Sequence, residues 1–381
     1  MYLLLGRPLY AQSALLLPER LYEKNPDALT GRTRRYASVD DILAEADRLR
    51  PDVVFLCSGY LFAVHYLFST DDLARLVAGL RDRGCRVVTA DPFLGMFSTG
   101  SPRDLVRIEV PLRDDREFMR GLLEVKKAEE ARLWTVFTAA EQTLRDAGHL
   151  YPAYCDVPPA EATATDARNL SFYNPDLICP ALGPDGGRPH WLFVMSRTDY
   201  EAQQLFETLS VFIDLVVEKL LETLAAGRHP ILIAPAEMIN VLGSRMPTLE
   251  GVDLLAHCSF NQFTSLLLSA EHTFYWNVLS HSLLIRLFNG LPNVVFDRGH
   301  LIRNVAAMYP RVVQWYYQGW EPPLIDHREP LTPASVAAWT EPYRQHLPRI
   351  RERFRRAPTP EAMVAQVLGA ADGAGRLDPV A

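Results

Sequence analysis

A basic surplus, paired cysteines, a membrane-length apolar run and the common catalytic signatures are all missing from this 381-residue chain. Its formal charge is −7 with 10 histidines counted neutral, which argues against a broad surface for DNA or RNA. The five cysteines, Cys57, Cys85, Cys155, Cys179 and Cys258, are odd in number, scattered and without C-x-x-C pairs. A disulfide framework or a zinc site is therefore not expected, and a reducing cytoplasm fits best. The start, MYLLLGRPLY, has no basic region and too short an apolar run for a secretory leader. LFETLSVFIDLVVEKLLETLAAG is interrupted by Glu207, Asp214, Glu218, Lys219 and Glu222, so it reads as a buried amphipathic helix and no transmembrane segment is expected.

No GxxxxGK[ST] loop, GxGxxG fingerprint, HExxH or GxSxG occurs, which sets aside common NTPases, zinc proteases and α/β-hydrolases. No Asp-x-Asp occurs either, and the pairs Asp40-Asp41, Asp71-Asp72 and Asp114-Asp115 look like helix starts. A carboxylate-bound catalytic metal has no support.

What is present is the grammar of parallel sheets. VDDILAEADRLR runs into DVVFLCSG and DDLARLVAGLRDRG into RVVTADP, amphipathic helices alternating with short valine-rich strands. DREFMRGLLEVKKAEEARLWTVFTAAEQTLRDAG then keeps helical periodicity, with Gly148 placed to stop it. Residues 150–190 carry seven prolines and three glycines, a stretch read as irregular. From HWLFVMS the alternation restarts: a long helix from about 199, PILIAP, GVDLLAHC, a helix from about 261, HTFYWN, a helix from about 280, and NVVFD. The expected architecture is α/β, with two Rossmann-like doubly wound domains facing across a cleft. The N-terminal domain spans 1–186, including a Pro/Gly-rich linker over 150–186, and the second spans 187–345. C-terminal helices in 346–381, from the pattern near 333–355 and 359–370, return to the first domain.

In doubly wound sheets ligands bind beyond the carboxyl ends of the strands, and the polar residues collect there. Gln262 opens a helix, Asn277 ends a strand fifteen residues later, and Ser280-His281-Ser282 starts the helix that stops at Gly290-Leu-Pro292. Unpaired N–H groups at such a helix start suit a phosphate or diphosphate. A plain N-cap is the alternative for the serines, and surface polarity for Gln262 and Asn277. Ser196, Arg197 and Thr198 follow the strand HWLFVM, where Arg197 stands to stabilise a departing diphosphate; an N-cap is again the alternative. Asp297, Arg298 and His300 follow NVVFD as sugar or ribose contacts, or as a solvated loop.

The order of Gln262, the polar turn from Asn277 to Ser282 and the closing Gly-x-Pro resembles the donor-binding half of nucleotide-sugar glycosyltransferases with the GT-B fold. The resemblance covers roughly residues 187–300 as motif and the first half as architecture. Ser259 stands where many of these enzymes place a tryptophan, with Phe260 as the stacking face, and their His-Cys-Gly turn reads Asn277-Val-Leu-Ser280. It implies transfer of a sugar from a nucleoside-diphosphate sugar to a small or natural-product-like acceptor, without metal and with no cofactor beyond the donor. Many relatives take a catalytic histidine after the first strand, but GRPLYAQS has none. His65, after DVVFLCSG, and Asp91, ending RVVTADP, are the candidate bases, with a core histidine and a turn cap as their plain readings. LSHSLLIRLFNGLP also resembles the Arg-Leu-His-(Ser/Ala)-Leu-Ile turn of pyruvyl transferases that use phosphoenolpyruvate. His281 matches the histidine, Ser280 replaces the leucine and Leu279 replaces the arginine. A non-catalytic nucleotide-binding scaffold is the third reading.

Overall fold

The computed structural model describes residues 11–23, 32–57, 59–64, 68–90, 116–152, 169–172, 189–245, 250–299, 308–356 and 358–369. Its contacts divide the chain into two units, one of Met1–Arg103, Ala131–Asp176 and Arg353–Ala381, the other of Asp104–Glu130 and Leu177–Glu352. The opening stretch MYLLLGRPLY lies outside the described residues.

In the first unit β1 (Leu15–Pro18) leads into α1 (Glu19–Glu23) and pairs in parallel with β2 (Thr33–Tyr36). Ser38 then caps α2 (Val39–Leu49) in a reciprocal box with Asp41, and Ser69 does the same with Asp72 for α3 (Thr70–Asp82). Each box satisfies N–H groups that the first turn leaves open. The strands β3 (Val53–Leu56), β4 (Arg86–Ala90), β5 (Gly148–Pro152) and β6 (Asn169–Phe172) form a parallel sheet in that order. Between β4 and β5 runs the helix α4 (Arg116–Leu144). It stops at Leu144 rather than at Gly148, which instead opens β5 and pairs with Val88. The stretch read as irregular thus contributes two strands, β5 on the open edge of β4 and β6 on that of β5.

The second unit carries the longer sheet. In chain order it contains β7 (His190–Val194), α5 (Arg197–Ala202), α6 (Leu209–Ala225), β8 (His229–Ile233), α7 (Ala236–Arg245) and β9 (Asp253–Leu255). There follow α8 (Phe260–Ser269), β10 (His272–Tyr275), α9 (His281–Phe288), β11 (Val294–Phe296), α10 (Met308–Tyr316), β12 (Leu324–Ile325), α11 (Pro333–Thr340) and α12 (Tyr343–Arg355). All pairings are parallel, and the order β9-β8-β7-β10-β11-β12 is 3-2-1-4-5-6 in the unit's own numbering, the Rossmann order. Trp191 and Phe193 of β7, Phe274 of β10, Trp276 just beyond it and Phe296 of β11 alternate onto one face and pack with Phe212 and Val216 of α6. The Phe193–Phe274 and Trp276–Phe296 rings lie 4.6 Å apart, so these strand ends share one aromatic core and truncating any member to alanine would remove about 3–5 kcal/mol.

Two long helical readings break. The helix expected from about 199 is α5, a tight turn at Gln203–Leu205 and then α6, newly capped by Thr208. The break lets buried Glu207 reach polar partners. The 333–355 pattern splits into α11 and α12 because Pro342 lacks the N–H that would continue α11. The last helix, α13 (Pro360–Gly369), packs Met363 and Val367 on Val88, beside Val53, Phe55 and Ala90 of the first sheet. Arg86 seals its end by donating to the carbonyls of Val367 and Leu368, where a cation also complements the helix dipole. The helix α13, within the expected C-terminal segment, therefore returns to the first unit's sheet.

Candidate functional site

Between β7 and β10 the strand order reverses, and the two strands end level, Val194 opposite Tyr275. Their carboxyl-end loops begin one residue later, which places Ser196–Thr198 and Asn277–Ser282 side by side at the switch point of the second sheet. A crevice at that position is where open α/β sheets receive ligands.

The two loops are built differently. Ser196 caps α5: its hydroxyl accepts from Asp199 N–H at 3.1 Å, while the Asp199 carboxylate accepts from Ser196 N–H at 2.9 Å and from its hydroxyl at 2.6 Å. Arg197 is exposed and ion-paired to Glu201 at 3.1 Å and to Glu237. Its charge is shared between two carboxylates, and Thr198 is exposed beside it. Here the plain capping role is realised.

The Asn277 loop is tied to itself instead. Asn277 is buried, and its side-chain oxygen accepts from Leu279 N–H at 2.7 Å, closing an Asx turn. Ser280 occupies the cap position of α9 with extended backbone, φ −129° and ψ 136°, yet its hydroxyl makes no cap bond. It meets the hydroxyl of Ser282 at 2.7 Å. The N–H groups of the first turn of α9 are thus left without a side-chain cap, whereas Ser259 caps α8 through Gln262 N–H at 3.2 Å. His281 retains solvent exposure, and desolvation by the surrounding protein lowers its pKa below the ordinary histidine value. Gln262 is exposed on the first turn of α8, and Phe260 opens that helix.

Beneath the turn lies a residue that the sequence reading did not single out. Arg286 of α9 has no exposed surface and donates to the carbonyls of Leu267 and Ala270 at 2.8 Å and of Pro292 at 3.0 Å. Burial lowers its pKa to about 10, so it stays charged, and no carboxylate pairs with it among the described residues. It closes the carboxyl end of α8, whose last carbonyls have no helical partner. The signal was there: a charged residue among Leu283, Leu284 and Leu287 on the buried stripe. Thr273 and Asn293 add a buried bond of 2.9 Å between β10 and the chain entering β11.

One strand over, Asp297 follows β11 with its N–H on Ile325 O at 2.8 Å. Arg298 faces Glu207 at 3.9 Å, and its carbonyl accepts from buried Gln203 at 2.9 Å. Glu207 also takes Arg328 at 3.1 Å and lies 3.7 Å from the ring of His327, which is fully buried. Burial, reinforced by Arg298, lowers the His327 pKa to about 4. The loops after β11 and β12 and the α5–α6 connection are therefore pinned to one buried carboxylate. His65, Asp91, His300 and the side chain of Phe260 lie outside the described residues. No group of metal-ligating side chains occurs among the described residues, and no described helix is long and apolar enough to cross a membrane.

No protein-family model matches the sequence, and no curated protein matches it. Solved structures do. Os79 from O. sativa, in complex with UDP and deoxynivalenol-3-glucoside, superposes with a TM-score of 0.53 at 12% identity, covering 95% of this chain and 100% of that one. UDP-glucose: anthocyanidin 3-O-glucosyltransferase, in complex with UDP, gives 0.50 at 11% identity, with 96% and 93% covered. The chain has a GT-B fold. In GT-B terms the second unit is the carboxyl-terminal Rossmann-like domain, and the uncapped α9 begins at its switch point.

Proposed function

We propose that this GT-B protein transfers a sugar from a nucleoside-diphosphate sugar to a small, natural-product-like acceptor. One observation carries the reading: α9 starts at the Rossmann switch point with its first-turn N–H groups free of any side-chain cap. Such a helix start offers N–H donors and a partial positive charge to a diphosphate. The likeness in fold to structures solved with UDP supports it.

In this reading the Asx turn of Asn277 holds the chain, Ser280 and His281 border the diphosphate at the start of α9, and buried Ser282 supports Ser280 from behind. Donors preset in this way stabilise the charge that develops on the leaving group, so the transfer proceeds without metal. Arg197, Thr198 and Ser196 border the same switch point; Arg197 adds a cation already shared with two carboxylates, which makes it the weaker contributor. Gln262 and Phe260 on α8 serve the nucleoside, and Asp297 with Arg298, fixed by Glu207 and Gln203, serve the sugar. His65 and Asp91 are the candidates for removing the acceptor proton.

The test is a thermal-shift screen with UDP, TDP and GDP, their sugars, and phosphoenolpyruvate. Stabilisation by one nucleoside diphosphate, retained in EDTA, is the expected result. A response to phosphoenolpyruvate alone would replace the reading with pyruvyl transfer, and binding of a nucleotide with no hydrolysis or transfer of any sugar would leave a scaffold.

A further inference from the structure

Seven helix starts among the described residues show what a hydroxyl at the cap position does. Ser38, Ser69, Ser196, Thr208, Ser259, Thr332 and Thr359 each accept from the N–H of the third helical residue, Asp41, Asp72, Asp199, Val211, Gln262, Ser335 and Ala362. Ser280 has the same residue type and the same extended backbone, and by that geometry its hydroxyl belongs on Leu283 N–H. It is bonded to Ser282 instead.

A second observation lies under that bond. Tyr275, at the end of β10, is 1% exposed, and its hydroxyl makes no well-formed hydrogen bond. That hydroxyl is within interaction range of Ser282, which is itself buried. A polar line therefore runs from Tyr275 through Ser282 to Ser280 and ends at the mouth of the turn. A rotation about the Cα–Cβ bond of Ser280 separates two hydrogen-bonded arrangements, one on Ser282 and one on the helix's own N–H.

We propose that Ser282 is a positioning residue that holds the Ser280 hydroxyl off the start of α9, and that the self-capped rotamer of Ser280 is the closed form of the site. With Ser280 held away, the first-turn N–H groups receive a phosphate or diphosphate. With Ser280 on Leu283 N–H, the protein's own hydroxyl competes with that anion for the same donors. The proposal deepens the donor-site reading and rests on it for the ligand, whereas the rotamer competition stands on the protein alone.

A double-mutant cycle separates the two. Ser282→Ala releases Ser280 to cap the helix, so Ser280→Ala lowers Tm by about 2–4 °C more in the Ser282→Ala background than in the wild type. Calorimetric titration with UDP and with pyrophosphate shows binding weakened about fivefold by Ser282→Ala, the equivalent of one capping bond. Binding in Ser280→Ala/Ser282→Ala recovers to that of Ser280→Ala alone, because alanine cannot cap. A merely structural serine gives no such rescue. If Ser280→Ala changes Tm equally in both backgrounds and the double variant binds no better than Ser282→Ala, the proposal is overturned. If the stability coupling is present while neither UDP nor pyrophosphate binds the wild type, the donor-site reading falls and the capping competition stands.

Discussion

Replacing Arg286 with methionine measures what the buried guanidinium contributes beneath the turn. Methionine fills most of the side-chain volume, so the change isolates three short bonds, at 2.8, 2.8 and 3.0 Å, to the carbonyls of Leu267, Ala270 and Pro292. Each carbonyl left buried and unpaired costs roughly 1–3 kcal/mol. Against that, removing the guanidinium relieves the desolvation of a charge with no carboxylate partner, a term of several kcal/mol. The carbonyls outnumber the charge, and their bonds are charge-assisted, so the balance falls on the destabilising side by about 3 kcal/mol. At a urea m-value of about 3 kcal/mol/M the midpoint drops by about 1 M. Arg286→Lys keeps the charge and one or two of the bonds but not the planar fork, and falls between. Urea titration followed by tryptophan fluorescence is the assay, since Trp191 and Trp276 are buried in the same unit. A methionine variant with its midpoint within about 0.2 M of wild type would refute the reasoning, because the carbonyls would then have found other partners.

Two further predictions concern stability. Burial holds both His272 and His327 at about 4, below their ordinary value of 6.5; folded they are neutral, and unfolded they take up protons below about 6.5. Stability is thus complete above about pH 6.5 and is lost as pH falls towards 4, by up to about 3 kcal/mol per histidine. Thermal unfolding should show a falling Tm through that window, flattened by His327→Gln; a Tm unchanged between about pH 7 and pH 4.5 would contradict it. Gly290 ends α9 at φ +73°, and an added Cβ would lie 3.3 Å from the Arg351 guanidinium, whose Nε donates to Phe288 O at 3.0 Å. Gly290→Ala should lower stability by about 1–2 kcal/mol through the left-handed backbone and the displaced arginine, and an unchanged urea midpoint would show that the turn relaxes freely.

Much of this architecture was legible because period and composition act locally. Valine-rich runs such as DVVF and RVVTA pair as parallel strands, and the Rossmann unit from HWLFV to NVVF appears strand by strand. What was not legible depends on distant partners. Gly148 carries a helix-stop signal, but the waiting edge of β4 turns it into a strand residue. A single helix through 199–225 fits the apolar pattern, but the chain breaks before Thr208, where Glu207 meets Arg298 and Arg328 from distant loops. Arg286 reads as an ordinary charge in a helix until the carbonyls of α8 are placed around it.

The candidate site shows the same division at the scale of one side chain. Serine at a helix start predicts a cap, and by that rule Ser196, Ser259 and Ser280 are equivalent. The structure separates them by what stands two or three residues on. Asp199, at the third helical position, answers Ser196 and locks it as a cap. Ser282, at the second, sits on the inward face above Tyr275 and takes the Ser280 hydroxyl away from the helix. A Ser-x-Ser at a helix start whose second serine faces the sheet is therefore a different signal from a Ser-x-x-Asp. The first leaves N–H groups open to an anion, and the second consumes them. For the proposed donor site, that distinction favours the Asn277–Ser282 turn over Arg197 as the contact for a diphosphate.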